Sequence, residues 1–250
     1  MGDLLEVRKL SLQFGGIQAL QEVSVSVAEG ETCAVIGPNG SGKTSLFNCI
    51  TGIYQPTSGS ITFRDEGMLG RSPDSVAALG IARTFQNLRL FHNMTVLDNL
   101  MVGRHRHFER SFLAVVLRGR AEEIRHRRRC EEIIEFLDLE PVRKTRVADC
   151  PYGVQKRVEL GRALATEPGL LLLDEPVSGL TQEEKEEFSY WIHEIRGRFA
   201  ITVLLVEHDL RVASRLASRM VALDHGVKIA EGTPAEVQRH PDVIRAYLGE

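Results

Sequence analysis

The strongest constraint on this chain is a glycine-rich segment, GPNGSGKT, at residues 37–44. It follows TCAVI at residues 32–36, a continuous apolar run that is typical of a strand covered on both faces in a parallel sheet. It precedes residues 43–50, which have the composition of a helix. Strand, loop and helix in this order are the context that a phosphate-binding loop requires. We therefore predict an α/β fold whose ligand lies at the carboxyl ends of parallel strands.

The residue types within this segment predict a triphosphate site. Glycines allow several main-chain N–H groups to surround a phosphate, and the N-terminus of the following helix adds positive potential. Lys43 is then expected at the β and γ phosphates, and the Thr44 hydroxyl becomes a ligand for Mg²⁺. An ordinary glycine-rich surface turn is the alternative. The predicted nucleotide-binding residues here are Gly37, Pro38, Asn39, Gly40, Ser41, Gly42, Lys43, Thr44 and Ser45.

A second apolar run, LLLL at residues 170–173, ends in two carboxylates, Asp174 and Glu175. Because Asp174 closes a buried strand, it is expected to face the loop and to bind the metal. Glu175 follows it and is predicted to orient and deprotonate the attacking water as a general base. Taken alone, such a pair is often a helix N-cap, but the phosphate-binding loop favours the catalytic interpretation.

Composition and charge exclude several other classes of protein. The net charge of −3 gives no overall basic excess that would hold a polyanion, so a general nucleic-acid coat protein is disfavoured. The longest apolar stretch, at residues 112–117, is far shorter than the roughly 20 residues of a membrane-spanning helix. The first thirty residues show no apolar signal core, which predicts a cytoplasmic protein. No guanine-reading NKxD or TKxD tetrapeptide is present, and adenine is therefore favoured over guanine.

The four cysteines lack a C-x-x-C spacing and have the surroundings of reduced core thiols, so we expect neither disulfides nor zinc. They are Cys33, Cys49, Cys130 and Cys150.

Hydrophobic patterning predicts the remaining organisation. Residues 4–14 and 19–28 alternate apolar and polar residues and predict an antiparallel pair that turns at Gly15 and Gly16. Residues 201–206 predict another buried strand. Residues 88–149 lack strand-like alternation and predict a helical insertion, in which Ile124, Ile133, Ile134 and Leu137 are expected at helical spacing. Helices are predicted within 99–106, 121–139 and 155–165, and Thr181 with Glu184 predicts a capping box for a helix that begins near Gln182.

The order of these motifs resembles that of the ATP-binding cassette (ABC) ATPases over essentially the whole chain. The resemblance implies a P-loop ATPase fold with an antiparallel β subdomain and an inserted helical subdomain. It also implies one domain, 1–250, in which 1–87 and 151–250 form the core and 88–150 the helical subdomain. Phe14 would stack on adenine, Gln86 would contact the metal and the attacking water, and His208 would contact the γ phosphate.

The family signature is expected at residues 151–157 (PYGVQKR), and residues 150–154, aligned on the second glycine, depart from the common Leu-Ser-Gly-Gly-Gln. Tyr152 and Gly153 are the nucleotide-binding residues that the resemblance assigns to this segment. Pro151 stands where the family has serine, so the contact to the γ phosphate would come from main-chain N–H groups near Gly153 and the helix N-terminus, or be weaker. A dimer loop is expected at residues 178–181, with Thr181 where the family often has Asp.

The PYG form of the signature, residues 243–250 and the insertion at 106–120 resemble the ATPase subunits of bacterial branched-chain amino-acid importers. This resemblance implies ATP and Mg²⁺ as ligands. It also implies a head-to-tail dimer with a related second ATPase, two membrane permease subunits and, indirectly, an extracytoplasmic binding protein. The chain would then lie on the inner face of the cell membrane, with no nucleic acid bound.

Three alternatives remain open at the level of sequence. A non-transport ABC ATPase acting on DNA or ribosomes would bind its nucleic acid through the basic run at 118–129. Otherwise this run is interpreted as a solvated helix face or as a contact for phosphate or lipid head groups. A small-molecule kinase would leave Glu175 and His208 without a role. Leu88, Leu90, Phe91 and Met94 would line a groove for a permease helix or pack inside the helical subdomain.

Overall fold

The structure, a computed structural model, describes residues 2–86, 88–107 and 112–248, except the side chains of Arg106 and residues 112–120. Two segments carry the importer resemblance, 106–120 and 243–250, and residues 108–111 of the first and 249–250 of the second lie outside the described residues.

The strands and helices are given in chain order. They are β1 (Asp3–Phe14), β2 (Ile17–Ala28), β3 (Thr32–Ile36), α1 (Lys43–Ile50), β4 (Ser58–Phe63), β5 (Glu66–Gly67), α2 (Pro73–Ala78), β6 (Ile81–Arg83), α3 (Val96–Gly103), α4 (Phe112–Phe136), α5 (Tyr152–Ala165), β7 (Leu170–Asp174), α6 (Gln182–Phe199), β8 (Thr202–Glu207), α7 (Leu210–Leu216), β9 (Arg219–Asp224), β10 (Val227–Gly232), α8 (Pro234–Arg239) and α9 (Pro241–Leu248). Short 3₁₀ turns lie at Arg104–His107, Glu140–Val142 and Val147–Asp149.

Among the described residues, the strands form two sheets. The larger has the order β10-β9-β3-β8-β7-β6, and β3 runs parallel to both of its neighbours, β8 and β9. Every residue of β3, β7 and β8 is buried, as the continuous apolar runs predicted. Because β3, β7 and β8 are parallel, the phosphate-binding loop, Asp174 and Glu207 all lie at the same edge of the sheet.

The smaller sheet is antiparallel and has the order β2-β1-β4-β5. The predicted pairing of β1 with β2 is confirmed, with Phe14 opposite Ile17 and Gly15 in the turn at a φ of +54°. Alternating positions of the two strands enter the core, which fits their alternating sequence. Those buried apolar residues include Leu5, Val7, Leu10, Leu20, Val23 and Val25.

The chain divides into two compact units. The first comprises the described parts of Met1–Ile81, Gly169–Pro176 and Ile192–Glu250, and the second comprises Ala82–Pro168 and Val177–Trp191. The boundaries implied by resemblance grouped residues 151–168 with the core, whereas here they belong to the second unit. The reason is close packing of α5 in that unit: a Cβ on Gly161 would lie 3.1 Å from Leu137 Cδ1 and 3.3 Å from Leu100 Cδ1.

The prediction of a common apolar face in the helical region is wrong for one residue, Ile124. Ile133, Ile134 and Leu137 are fully buried, but Ile124 is 57% exposed. At about 100° per residue, Ile124 points to the side of α4 opposite Ile133, so both cannot face one core. Of the apolar residues after Gln86, Leu90 is buried, Leu88 and Met94 are half-buried, and Phe91 is exposed. Neither proposed role, lining a groove for a permease helix or packing inside the helical subdomain, therefore describes all four residues.

No helix in the described ranges combines the length and the apolar character that are needed to cross a bilayer. The four cysteines are buried, as expected of core thiols.

Candidate nucleotide-binding site

The glycine-rich loop is held in a conformation that only glycine tolerates at its key positions. A Cβ on Gly37, at a φ of +151°, would lie 2.1 Å from the main-chain oxygen of Leu223. A Cβ on Gly42, at a φ of +102°, would lie 2.7 Å from the oxygen of Ala19. The N–H of Gly226 also donates to the Ser41 oxygen at 3.0 Å. The loop is thus fixed by main-chain neighbours on β2, β9 and the turn that follows β9.

Lys43 lies at the start of α1 with its side chain buried and folded over the loop. Its ammonium donates to the main-chain oxygens of Gly37 at 2.7 Å and Pro38 at 2.8 Å. Burial lowers the pKa of Lys43, and the carboxylates of Glu175, Asp174 and Glu207 partly offset that effect. The charge that the sequence predicted for phosphate binding therefore sits inside the loop and close to the predicted acidic residues.

A buried hydroxyl marks the same loop as a ligand site. The Ser41 side chain is almost fully buried, and its Oγ has no hydrogen-bond partner among the described residues. Buried hydroxyl groups are normally paired, since an unpaired one costs about 1–3 kcal/mol. A phosphate oxygen would accept this hydrogen bond, so the donor set fits the triphosphate that the motif predicted. Asn39, Gly40 and Thr44 are more open to solvent in the same loop and first turn of α1, with Ser45 half-buried.

Asp174 and Glu175 occupy different positions, although they are adjacent in sequence. Asp174 is the last, buried residue of β7 and pairs with Val206 of β8. Glu175 leaves the strand with a φ of +46°, and its N–H donates to the Val206 oxygen at 3.0 Å. The turn brings Glu175 Oε2 to 3.5 Å from Nδ1 of His208, which follows β8. The structure therefore brings together three of the predicted residues.

Glu207 is an acidic residue of this edge that the sequence reasoning missed. It ends β8, is almost fully buried, and has Oε2 at 3.9 Å from His208 Nδ1. The signal was available: like Asp174, Glu207 is a carboxylate that directly follows an apolar strand.

Phe14 stands at the end of β1, in the first unit, and is half exposed. Its ring contacts Tyr54 edge to face, with 5.0 Å between ring centroids. The ring is thus held by a protein contact yet half exposed, which leaves Phe14 suited to stacking on a flat ligand.

The signature segment belongs to the second unit. Tyr152 and Gly153 open α5, and the Tyr152 hydroxyl donates to the Ser178 oxygen at 3.4 Å. A Cβ on Gly153 would lie 2.2 Å from Glu184 Oε1, so the start of α5 touches the start of α6. The predicted capping box is confirmed: Thr181 N donates to Glu184 Oε2 at 2.8 Å, and Glu184 N to Thr181 Oγ1 at 3.3 Å.

Gln86, the predicted metal and water contact, also lies in the second unit, in the exposed loop that follows β6. Its neighbour Phe85 donates its N–H to the buried carboxylate Glu159 at 3.4 Å, which anchors this loop to α5.

Comparison with known proteins places this geometry in a family. The sequence model described as "ABC transporter" matches residues 20–178, and one described as "Branched-chain amino acid ATP-binding cassette transporter" matches residues 227–250. The chain is 41% identical to the high-affinity branched-chain amino acid transport ATP-binding protein BraF of Pseudomonas aeruginosa, covering 99% of this chain and 98% of the relative. It is 38% identical to LivG of Escherichia coli, with the same two coverages.

Two solved structures extend the likeness to three dimensions. A nucleotide-free ATP-binding cassette from an ABC transporter matches with a TM-score of 0.86 and 31% identity, over 100% of both chains. The ADP conformation of an ATP-binding cassette of an ABC transporter matches with a TM-score of 0.87 and 30% identity, again over 100% of both chains. The resemblance, the fold and the phosphate-binding loop therefore agree, and the chain belongs to the ABC transporter family as one of its ATP-binding, ATP-hydrolysing cassettes.

Proposed function

We propose that this chain is the ATPase subunit of an importer for branched-chain amino acids. The observation that carries the proposal is the identity of about two residues in five to BraF, whose name states that function, over 99% of this chain. The match of residues 227–250 to the branched-chain amino-acid transporter model supports it independently of the phosphate-binding loop.

The loop residues would bind the triphosphate of ATP. Main-chain N–H groups of residues 37–44 and the Ser41 hydroxyl would donate to phosphate oxygens, while Lys43 would leave its present acceptors for the β and γ phosphates. Phe14 would stack on the adenine ring. Thr44, Asp174 and Gln86 are the residues that would hold Mg²⁺, whose charge stabilises the transferring phosphoryl group when it is bound.

Glu175 and His208 would perform the chemistry on the attacking water. Glu175 directly follows the buried Asp174 and leaves the strand at a positive φ, and its carboxylate would take a proton from water. His208 lies 3.5 Å from that carboxylate and would orient it while contacting the γ phosphate. Glu207 is buried with Oε2 3.9 Å from His208 Nδ1, and its negative charge would favour a bound cation at this edge.

Coupling to transport would require a second ATPase. Tyr152 and Gly153 would close the nucleotide site of a partner ATPase in a head-to-tail dimer, most simply a related chain. One matched structure, at 25% identity and a TM-score of 0.79, is described as the dimer of a bacterial ABC transporter cassette. ATP bound between two subunits would favour the closed state, and hydrolysis would remove that bias and so drive two permease subunits at the membrane. An extracytoplasmic binding protein would deliver the amino acid.

Uptake by whole cells tests the proposal. Cells that lack this chain should lose uptake of radiolabelled leucine, isoleucine and valine, and the wild-type chain should restore it. Glu175→Gln should not restore uptake, whereas Glu187→Gln, an exposed substitution on α6, should. Sulfate uptake is the matched control, because sulfate import ATPases are also 37–40% identical to this chain. Loss of sulfate uptake with intact leucine uptake would contradict the proposed substrate.

A further inference from the structure

The second unit contains a charged cleft that the proposed ATPase function does not use. It has a volume of about 440 Å³. Six cationic or titratable basic side chains line it: Arg104, His107, Arg125, His126, Arg128 and Arg129. The carboxylates that line it are Glu132 and Glu167. Four guanidinium groups thus face two lining carboxylates, and Glu122 behind the lining contacts Arg125 and His126, so one positive charge remains in excess before either histidine is counted.

The arrangement of arginines on α4 is unfavourable for the helix by itself. Arg125, Arg128 and Arg129 are spaced i, i+3 and i+4, so their like charges share one face and repel one another by a few tenths of a kcal/mol per pair. Arg127 gives the contrast. It points elsewhere, lines no part of the cleft, and has Glu131 at i+4 with 4.0 Å between the charged groups.

Carboxylates of the cleft neutralise only its inner arginines. Glu167 lies 3.1 Å from Arg104 Nη1 and 3.0 Å from Arg129 Nε, while Glu132 lies 2.7 Å from Arg129 Nη1. At the outer side, Arg125 has a long 3.9 Å contact with Glu122, and Arg128 makes no ion pair or hydrogen bond with any described residue. Two guanidinium groups therefore keep most of their donors for an external anion.

The inner wall of the cleft is rigid, which favours a binding site over a loose charge cluster. Arg104 is buried, donates from Nη1 to the Ala165 oxygen at 2.9 Å and from Nε to His126 Nδ1 at 3.2 Å. Burial and the charge of Arg104 lower the pKa of His126, which keeps this imidazole neutral and able to accept that bond. Arg104 is thereby held in place at the C-terminal end of α5.

We propose that this cleft is a second anion site, which binds a phosphate group through Arg125 and Arg128 above the fixed charges of Arg104 and Arg129. Guanidinium groups in this number match the several oxygens of a phosphate, which accept paired hydrogen bonds. The phosphate would come from a soluble phosphorylated molecule or from an anionic lipid head group. The site is separate from the phosphate-binding loop and does not depend on the proposed transport function.

Titration with inorganic phosphate tests the site directly. The Nε–Hε resonances of Arg125 and Arg128, identified with Arg125→Gln and Arg128→Gln, should shift with saturation in the full chain and should not respond to chloride at equal ionic strength. Because these signals are local, phosphate binding at Lys43 does not interfere. Arg128→Gln should weaken binding about tenfold, and the adjacent Arg127→Gln should leave it unchanged within about a factor of two.

Flotation with vesicles distinguishes the two sources of phosphate. Binding to phosphatidylcholine vesicles that contain phosphatidic acid, lost in Arg128→Gln and kept in Arg127→Gln, would assign the site to a lipid head group. Saturable binding of inorganic phosphate without vesicle binding would assign it to a soluble molecule. Arg127 and Arg128 are both exposed, so Arg127→Gln and Arg128→Gln should retain the wild-type melting temperature. Shifts that chloride reproduces, or equal losses in the Arg127 and Arg128 variants, would overturn the proposal.

Discussion

At the scale of single residues, steric contacts at Gly37 restrict the backbone conformation of the phosphate-binding loop. Its φ of +151° and the Leu223 oxygen, 2.1 Å from a hypothetical Cβ, leave no room for a side chain. We predict that Gly37→Ala lowers the free energy of unfolding by about 2 kcal/mol or more, because both the clash and the backbone conformation oppose the methyl group. Thermal unfolding should show a melting temperature lower by roughly 5 °C.

Gly40→Ala is the matched control for this prediction. Gly40 also has a positive φ, +83°, but nothing lies within 4 Å of its Cβ position. It should therefore lose only the conformational part of the cost, about 1 kcal/mol. Equal destabilisation by the two substitutions would mean that the contact with Leu223 contributes nothing.

Glu175 carries the second prediction at this scale. Glu175→Gln keeps the size of the side chain but cannot accept a proton from water, so turnover should fall about 10²–10⁴-fold while ATP affinity remains unchanged. Steady-state phosphate release and equilibrium nucleotide binding measure the two quantities separately. Glu187→Gln, on the exposed side of α6, should alter neither. Hydrolysis at the full rate in Glu175→Gln would exclude this residue as the base.

At the scale of elements, two helix starts depend on one contact. Glu184 caps α6 through Thr181 and also fills the space beside Gly153 at the start of α5. Gly153→Ala should displace the Glu184 carboxylate and cost α6 its cap, about 1 kcal/mol. In Glu184→Ala the space is empty, so adding Gly153→Ala should cost much less. Urea unfolding of the four proteins in this double-mutant cycle measures the coupling, and strict additivity would disprove it.

The ion pair at the base of β9 predicts a dependence on pH. Burial raises the pKa of Glu31, but hydrogen bonds from Arg219, at 2.7 Å and 3.0 Å, and from the Ala28 N–H outweigh it, and the pKa is lowered from 4.5. A lowered folded-state pKa contributes stability above 4.5 that is lost as pH falls through the folded value.

Arg219→Gln should remove that contribution. At neutral pH it should lower the free energy of unfolding by about 2 kcal/mol, since it leaves the partly buried carboxylate of Glu31 without its guanidinium partner. The difference from wild type should shrink as pH falls below 4.5, where Glu31 in the unfolded chain takes up its proton. Urea unfolding at several pH values gives this difference, and a gap that stays constant with pH would contradict the assignment.

Elements with a strong local signal could be predicted, and elements fixed by distant partners could not. The bounds of β3 and α1 follow from an apolar run and a glycine motif. β9 was not predicted; it joins the sheet by pairing with β3, far away in sequence, and β10 joins only through β9. The same is true within the site. Asp174, Glu175 and His208 were predictable because they lie at or just after the ends of apolar strands. The contact of Gly153 with Glu184 was not, since it joins two helices that only the folded chain brings together.

At the scale of the whole molecule, the proposed dimer can be tested through residues of both compact units. Glu175 lies in the first unit, and Tyr152 and Gly153 lie in the second. If one subunit supplies the loop and the base, and its partner supplies the signature, bound ATP should hold two chains together for as long as it remains intact. Glu175→Gln with MgATP should therefore sediment as a dimer when mixed with the second ATPase. The same mixture with MgADP should sediment as monomers.

Two further variants locate the contacts that hold this dimer. Lys43→Ala should abolish it by removing nucleotide affinity, which excludes contacts that do not need ATP. Gly153→Glu should also abolish it while this chain's own ATP affinity is kept, because that substitution displaces the Glu184 carboxylate and adds a charge to the surface offered to the partner's nucleotide. A Glu175→Gln and Gly153→Glu double variant that still dimerises would show that the signature takes no part in the interface. The dimer would then close through some other surface.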